Sequence, residues 1–180
     1  MTDQKIRGLA EQIRAAIEAA RDDGRVSTDI TFMNFPRACC GDASYLLAEY
    51  LREFGIETIW YSTSRGDWTH AWLVVKDERV KKPTPKSFSW PKELHDVLEG
   101  YGVENPEKEV DITRYEEDDL HNGLIIDITA DQFADYDIPV YVGSLDPFHQ
   151  SFDFVQAHDY AGELGNRRLE TLYKTIKEYL

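Results

Sequence analysis

Phe35-Pro36-Arg37-Ala38-Cys39-Cys40-Gly41-Asp42-Ala43-Ser44 runs from a turn-like segment into an amphipathic stretch, and this junction decides how the chain is read. Phe35 precedes a proline and is therefore biased toward extended backbone. From about Cys40 to Phe54 the apolar residues Ala43, Leu46, Leu47, Tyr50, Leu51 and Phe54 recur at helical spacing, and Gly55 closes the helix. A thiol at the start of such a helix sits where unpaired N–H groups and the helix dipole favour the reactive thiolate. Helical phase does not choose between Cys39 and Cys40. Gly41 and Ser44 favour Cys40 by leaving room for a ligand at the helix start. Gly41 also frees backbone N–H groups that can face a developing oxyanion.

Outward from this helix, residues 4–22 form a first helical pattern with Ile6, Leu9, Ala10, Ile13, Ala16, Ile17 and Ala20 in phase and Gly24 as its stop. Residues 25–38 read as irregular, with a short extended piece near Ile30-Thr31-Phe32. Strands are expected at Glu57–Ser62 and His70–Lys76 around the turn Ser64-Arg65-Gly66-Asp67. The continuous apolar run Ala71-Trp72-Leu73-Val74-Val75 predicts a strand covered on both faces. Residues 77–122 read as a polar surface insertion, with a short helix from Trp90 to Leu98 and an acidic stretch from Glu104 to Asp119. The core resumes with a strand at Leu124–Ile128, a turn at Asp131-Gln132-Phe133, a strand at Pro139–Val142 and a final helix at Arg167–Leu180. This order predicts one α+β domain over residues 1–180.

Composition narrows the function classes. A formal charge of −14 excludes a nonspecific grip on nucleic acid or anionic lipid, which needs clustered Lys and Arg. No apolar run approaches the roughly 20 residues that cross a bilayer. The start of the chain lacks a signal-peptide pattern, so a cytoplasmic location is expected. Its 2 cysteines are adjacent and read as free thiols, with neither a disulfide framework nor zinc-finger spacing.

Two more segments carry chemistry. His70 opens the apolar strand at Thr69-His70-Ala71-Trp72. Asp127 lies inside Ile125-Ile126-Asp127-Ile128-Thr129, where a carboxylate is costly to bury unless a partner satisfies it. Orienting an imidazole is one way to supply that partner, and a hydrogen bond to a turn is the other. Thiol, imidazole and carboxylate, each at an element end or inside an apolar strand, form a set suited to nucleophilic catalysis.

With these residues in view, the helix-starting Cys40, the motif His70-Ala71-Trp72 and the segment Asp127-Ile128-Thr129 resemble the core of the transglutaminase-like branch of the papain-like cysteine enzymes. The likeness covers roughly Asn34 to Gln132, apart from the insertion. Ile128 stands where the family often has proline. The resemblance implies a central helix bearing the cysteine, packed on a mostly antiparallel sheet, with Cys40, His70 and Asp127 as the catalytic set. It puts Asn34 near the place of a glutamine that donates to the oxyanion, and Gly41 beside it. Trp72 and Gln132 are candidates for lining the substrate site. The implied activity is attack on an amide carbonyl of a protein or peptide through an acyl-thioester, without a cofactor, as in a peptidase, a glutamine deamidase or a transglutaminase. Two rivals stand beside it: a noncatalytic protein-binding module on the same fold, and a zinc ion held by Cys40, His70 and Asp127.

Overall fold

Each major helix is built on the stripe that its sequence announces. The structure, a computed structural model, describes residues 2–83, 85–88, 91–100 and 110–180. Helix α1 (Asp3–Asp22) begins where the Thr2 hydroxyl accepts from the Lys5 N–H, and it buries Ile6, Leu9, Ala10, Ile13, Ala16, Ile17 and Ala20. Gly24, at φ +72°, turns the chain away in a conformation that favours glycine. Helix α2 (Cys40–Glu53) buries Ala43, Leu46, Leu47, Tyr50 and Leu51. None of the described helices is long and apolar enough to cross a membrane.

Strands β1 (Thr58–Arg65) and β2 (Trp68–Val75) pair in a hairpin closed by Gly66 and Asp67. Gly66, at φ +61°, supplies the positive φ that a two-residue hairpin turn favours. Strand β3 (Pro85–Phe88) pairs with β4 (Val110–Thr113) in a separate two-stranded ribbon, and α3 (His95–Gly100) lies between them in sequence. Helix α4 (Glu117–Leu120) leads into β5 (Ile125–Asp127), followed by β6 (Tyr141–Gly143), β7 (Asp153–Asp159) and α5 (Arg167–Lys177). The main sheet is antiparallel, in the order β6-β5-β2-β1-β7. The architecture is α+β, as expected.

Alternation along the strands sorts two cores. Leu73, Val75 and Ile126 join the core built with α1, α2 and α5, whereas Ile59, Tyr61, Trp72, Val74 and Ile125 join an aromatic core with Tyr115, Phe148 and Phe152. Ser44 lies buried on α2, and its hydroxyl donates to the carbonyl of Ala71 at 3.2 Å. The start of α2 is thereby fastened beside His70. This corrects the expectation that Ser44 leaves ligand space.

Other expectations shift as well. The extended piece at Ile30–Phe32 is replaced by turns and the 3-10 turn Phe32–Asn34. Here Asp29 Oδ1 accepts from the N–H groups of Thr31 and Phe32, which folds the backbone back on itself. Strand β7 was not foreseen because it is a sheet edge whose residues are mostly exposed, with only Ala157 buried. The helix expected from Trp90 begins instead with a 3-10 turn at Lys92–Leu94 and continues as α3; Trp90 itself lies outside the described residues, as does the acidic stretch from Glu104 to Lys108 and Glu109.

A buried cation ties this frame to the turn that follows β5. Arg14 of α1 donates to the carbonyls of Ile128 and Pro139 and makes a two-point bond with Asp131, each contact at 2.7 Å. Its guanidinium also lies 5.1 Å from the Phe35 ring centroid. Removing one partner of such a buried pair strands the other charge. Arg14→Met is therefore expected to destabilise the fold by about 3 kcal/mol in urea unfolding, and an unchanged midpoint would show that the clamp is dispensable.

Candidate functional site

The β2–β5 pairing sets the first contact. Leu73 faces Ile126 and Val74 faces Ile125; continuing that register puts Trp72 opposite Asp127 and His70 on its diagonal. Period-two alternation turns His70 and Asp127 to the same side of the sheet. Their side chains meet there: His70 Nε2 donates to Asp127 Oδ2 at 2.6 Å, with both residues buried. The other carboxylate oxygen, Oδ1, accepts from the backbone N–H of Thr129 at 2.8 Å and from its hydroxyl at 3.2 Å. Both structural answers to the buried carboxylate, an imidazole and a turn, are thus present at once.

The remaining nitrogen of His70, Nδ1, faces the start of α2. Cys40 lies near enough to the imidazole to favour its charged form. Gln132, on the 3-10 turn after β5, places its amide nitrogen 3.2 Å from the same Nδ1, while its Oε1 accepts from the Ala38 N–H at 3.3 Å. In a neutral imidazole Nδ1 accepts from that amide; in the imidazolium it becomes a donor.

The two cysteines separate clearly. Cys39 is buried, donates its thiol to the Pro36 carbonyl at 3.2 Å, and is pushed well above the ordinary thiol range by burial and then by its neighbour Cys40. Cys40 is partly exposed and opens onto a cleft of about 750 Å³. Arg37, Arg65, Trp68, Gln132 and Phe133 are among the residues that line it. The side chain of the N-cap residue Cys39 makes no capping hydrogen bond to the first backbone donors of α2. A Cβ at Gly41 would meet only Trp60, at 3.9 Å. The packing around it therefore does not itself require glycine.

Of the oxyanion and substrate-site candidates Asn34, Gly41, Trp72 and Gln132, Gln132 alone lines the cleft. Asn34 sits exposed on its 3-10 turn and does not contribute to the lining. Trp72 is buried with its ring stacked on Tyr61, 4.9 Å between centroids, so it belongs to the aromatic core. Alternation explains the position: Trp72 follows His70 by two residues on the same face but lies deeper along the strand. The mouth carries a different tryptophan, Trp68, which is 68 % exposed.

Residues that the sequence did not single out complete the environment. His149 is buried against the far side of Asp127, with Nε2 3.3 Å from Oδ2, and its Nδ1 lies 2.6 Å from Asp146 Oδ1. The only signal for it was a histidine flanked by Phe148 and Gln150. Phe133, Phe148 and Phe152 pack around His70 with ring centroids 5.0, 6.3 and 5.5 Å away. Arg65 covers this cluster, 4.5 Å from the Phe152 centroid, and is held by Asp135 at 2.7 Å. Among the described residues, no group of three His, Cys, Asp or Glu side chains is arranged to hold a metal ion.

Burial alone would strip the charge from His70, but Asp127, by its charge and hydrogen bond, and then Cys40 outweigh it and raise the imidazole to about 9. Burial likewise opposes the charge on Asp127, yet His70 and His149 hold it well below the ordinary carboxylate range. Comparison with known protein families, curated proteins and solved structures gives no significant match. The chemistry therefore rests on the side chains themselves.

The linked stability follows from the direction of each shift. The raised imidazole stabilises the fold fully below its ordinary 6.5, and this contribution is lost as pH rises toward about 9. The lowered carboxylate contributes above its ordinary 3.8 and loses that contribution in acid. Both are present together between those two ordinary values. The urea midpoint is expected to fall between pH 6.5 and about 9 in the wild type and to fall less in His70→Gln. Equal slopes for the two proteins would show that His70 is not held charged by the fold.

Proposed function

We propose that the chain is a cysteine-nucleophile enzyme with a transglutaminase-like, papain-like core, acting on amide or thioester carbonyls. The observation that carries this reading is that one imidazole has a buried carboxylate at Nε2 and lies near a cleft-lining thiol, Cys40, which helps to raise it. A thiol beside an imidazole held cationic is the arrangement that generates a thiolate.

In the reaction, the Cys40 sulfur attacks the carbonyl carbon, and the carbonyl oxygen becomes an oxyanion facing the backbone N–H groups of Cys40 and Gly41. His70 donates its Nδ1 proton to the leaving amine as the carbon–nitrogen bond breaks, leaving an acyl-thioester on Cys40. Water or an amine then attacks the thioester carbonyl and gives a proton to His70, and the carbon–sulfur bond breaks to restore the pair. Asp127 keeps the ring oriented throughout and stabilises the imidazolium. Water as acceptor makes the enzyme a hydrolase; an amine makes it an acyltransferase. The open, partly apolar cleft with an exposed tryptophan at its mouth suits a peptide segment.

Burial of Cys39 and exposure of Cys40 make the test direct. Iodoacetamide at neutral pH is expected to label Cys40 and leave Cys39 unmodified by peptide mass mapping, with His70→Ala slowing the labelling about tenfold or more. Equal labelling of both cysteines, or a rate indifferent to His70, would contradict the proposal.

A further inference from the structure

His149 is a buried titratable side chain that the reaction above does not use, and its surroundings are unusual. Each ring nitrogen faces a carboxylate oxygen: Nδ1 stands 2.6 Å from Asp146 Oδ1, and Nε2 stands 3.3 Å from Asp127 Oδ2. A carboxylate accepts and does not donate, so this geometry asks for a proton on both nitrogens. The ring is also fixed in place. The His149 backbone N–H donates to the same Asp146 oxygen at 2.9 Å, and Tyr136 donates its hydroxyl to the other Asp146 oxygen at 2.8 Å.

We propose that His149 is a positioning residue, clamped by Asp146, that fixes the Asp127 carboxylate for His70. The inference rests on the reading of Cys40, His70 and Asp127 as one reactive set, and it adds a second imidazole and a second carboxylate behind them. Asp127 Oδ2 is shared between His70 Nε2 at 2.6 Å and His149 Nε2 at 3.3 Å, while Oδ1 is held by Thr129. The carboxylate therefore cannot rotate without breaking contacts on both edges.

The charges around His149 define what its removal does. From β5 comes Asp127, from β2 comes His70 on the same carboxylate oxygen, from the segment after β6 comes Asp146, and the phenols of Tyr136 and of Tyr141 on β6 have ring centroids 5.9 and 4.8 Å away. Trp72 and Phe148 complete the packing with ring edges and carry no charge. Taking away this second partner leaves Asp127 Oδ2 to His70 alone, so the His70 imidazolium is held more strongly. The aromatic surroundings make His149→Phe the replacement that best preserves packing.

Nitrogen-15 NMR of histidine-labelled protein tests the proposal without reference to activity. In the wild type, His149 Nε2 is expected to carry a proton hydrogen-bonded to Asp127. In His149→Phe, the His70 titration midpoint is expected to move upward by about one pH unit. A bare His149 Nε2, or a His70 midpoint unchanged in a folded His149→Phe protein, would overturn the proposal. Should His149→Phe not fold, the wild-type ring spectrum alone decides. Failure of the underlying reading is distinguishable, because an unreactive Cys40 leaves the His149 Nε2 proton untouched.

Discussion

The buried carboxylate of Asp127 is the constraint on which the site depends. It sits inside an apolar strand and is 1 % exposed, so it survives as an anion only because each oxygen is occupied. Thr129 takes one oxygen and two imidazoles take the other. Those needs dictate much around it: a turn directly after β5, a histidine on the adjacent strand, and a second histidine delivered from the loop after β6. The favourable interaction runs both ways. The anion keeps His70 charged against burial, and His70 keeps the anion charged.

The rest of the molecule brings a thiol to this pair and keeps water away from it. Ser44 fastens α2 to the β2 backbone one residue past His70, which holds the start of α2 beside that strand. Arg14 fastens the turn after Asp127 to α1 through the Ile128 carbonyl and Asp131, so Gln132 is delivered to the opposite side of the imidazole. Phenylalanines 133, 148 and 152 seal the buried edge of His70, and Arg65 closes over them. Helix, sheet and aromatic core thus meet at one buried imidazole, with Cys40 and Gln132 between it and the cleft.

Much of this was legible in the sequence, for identifiable reasons. Helix α2 and its stripe follow from 3.6-residue spacing, and the Cys40–His70–Asp127 set follows from polar residues placed where burial would otherwise be costly. Asn34 and Trp72 were misleading because proximity in sequence does not say which way a side chain points. Asn34 turns outward on a 3-10 turn, and Trp72 sits one strand period too deep. His149 was not legible because its partners, Asp127 and Asp146, reach it only through the folding of β5, β6 and the following loop. Strand β7 escaped notice because an edge strand buries too little to leave an apolar pattern.

The central claim is that Asp127 acts on Cys40 through His70, and a double-mutant cycle measures this directly. Rate constants for alkylation of Cys40 would be taken for the wild type, His70→Ala, Asp127→Asn and the double variant. If the three residues act as one set, Asp127→Asn slows alkylation in the wild-type background and changes nothing further once His70 is gone. The same fractional slowing by Asp127→Asn with and without His70 would contradict the account.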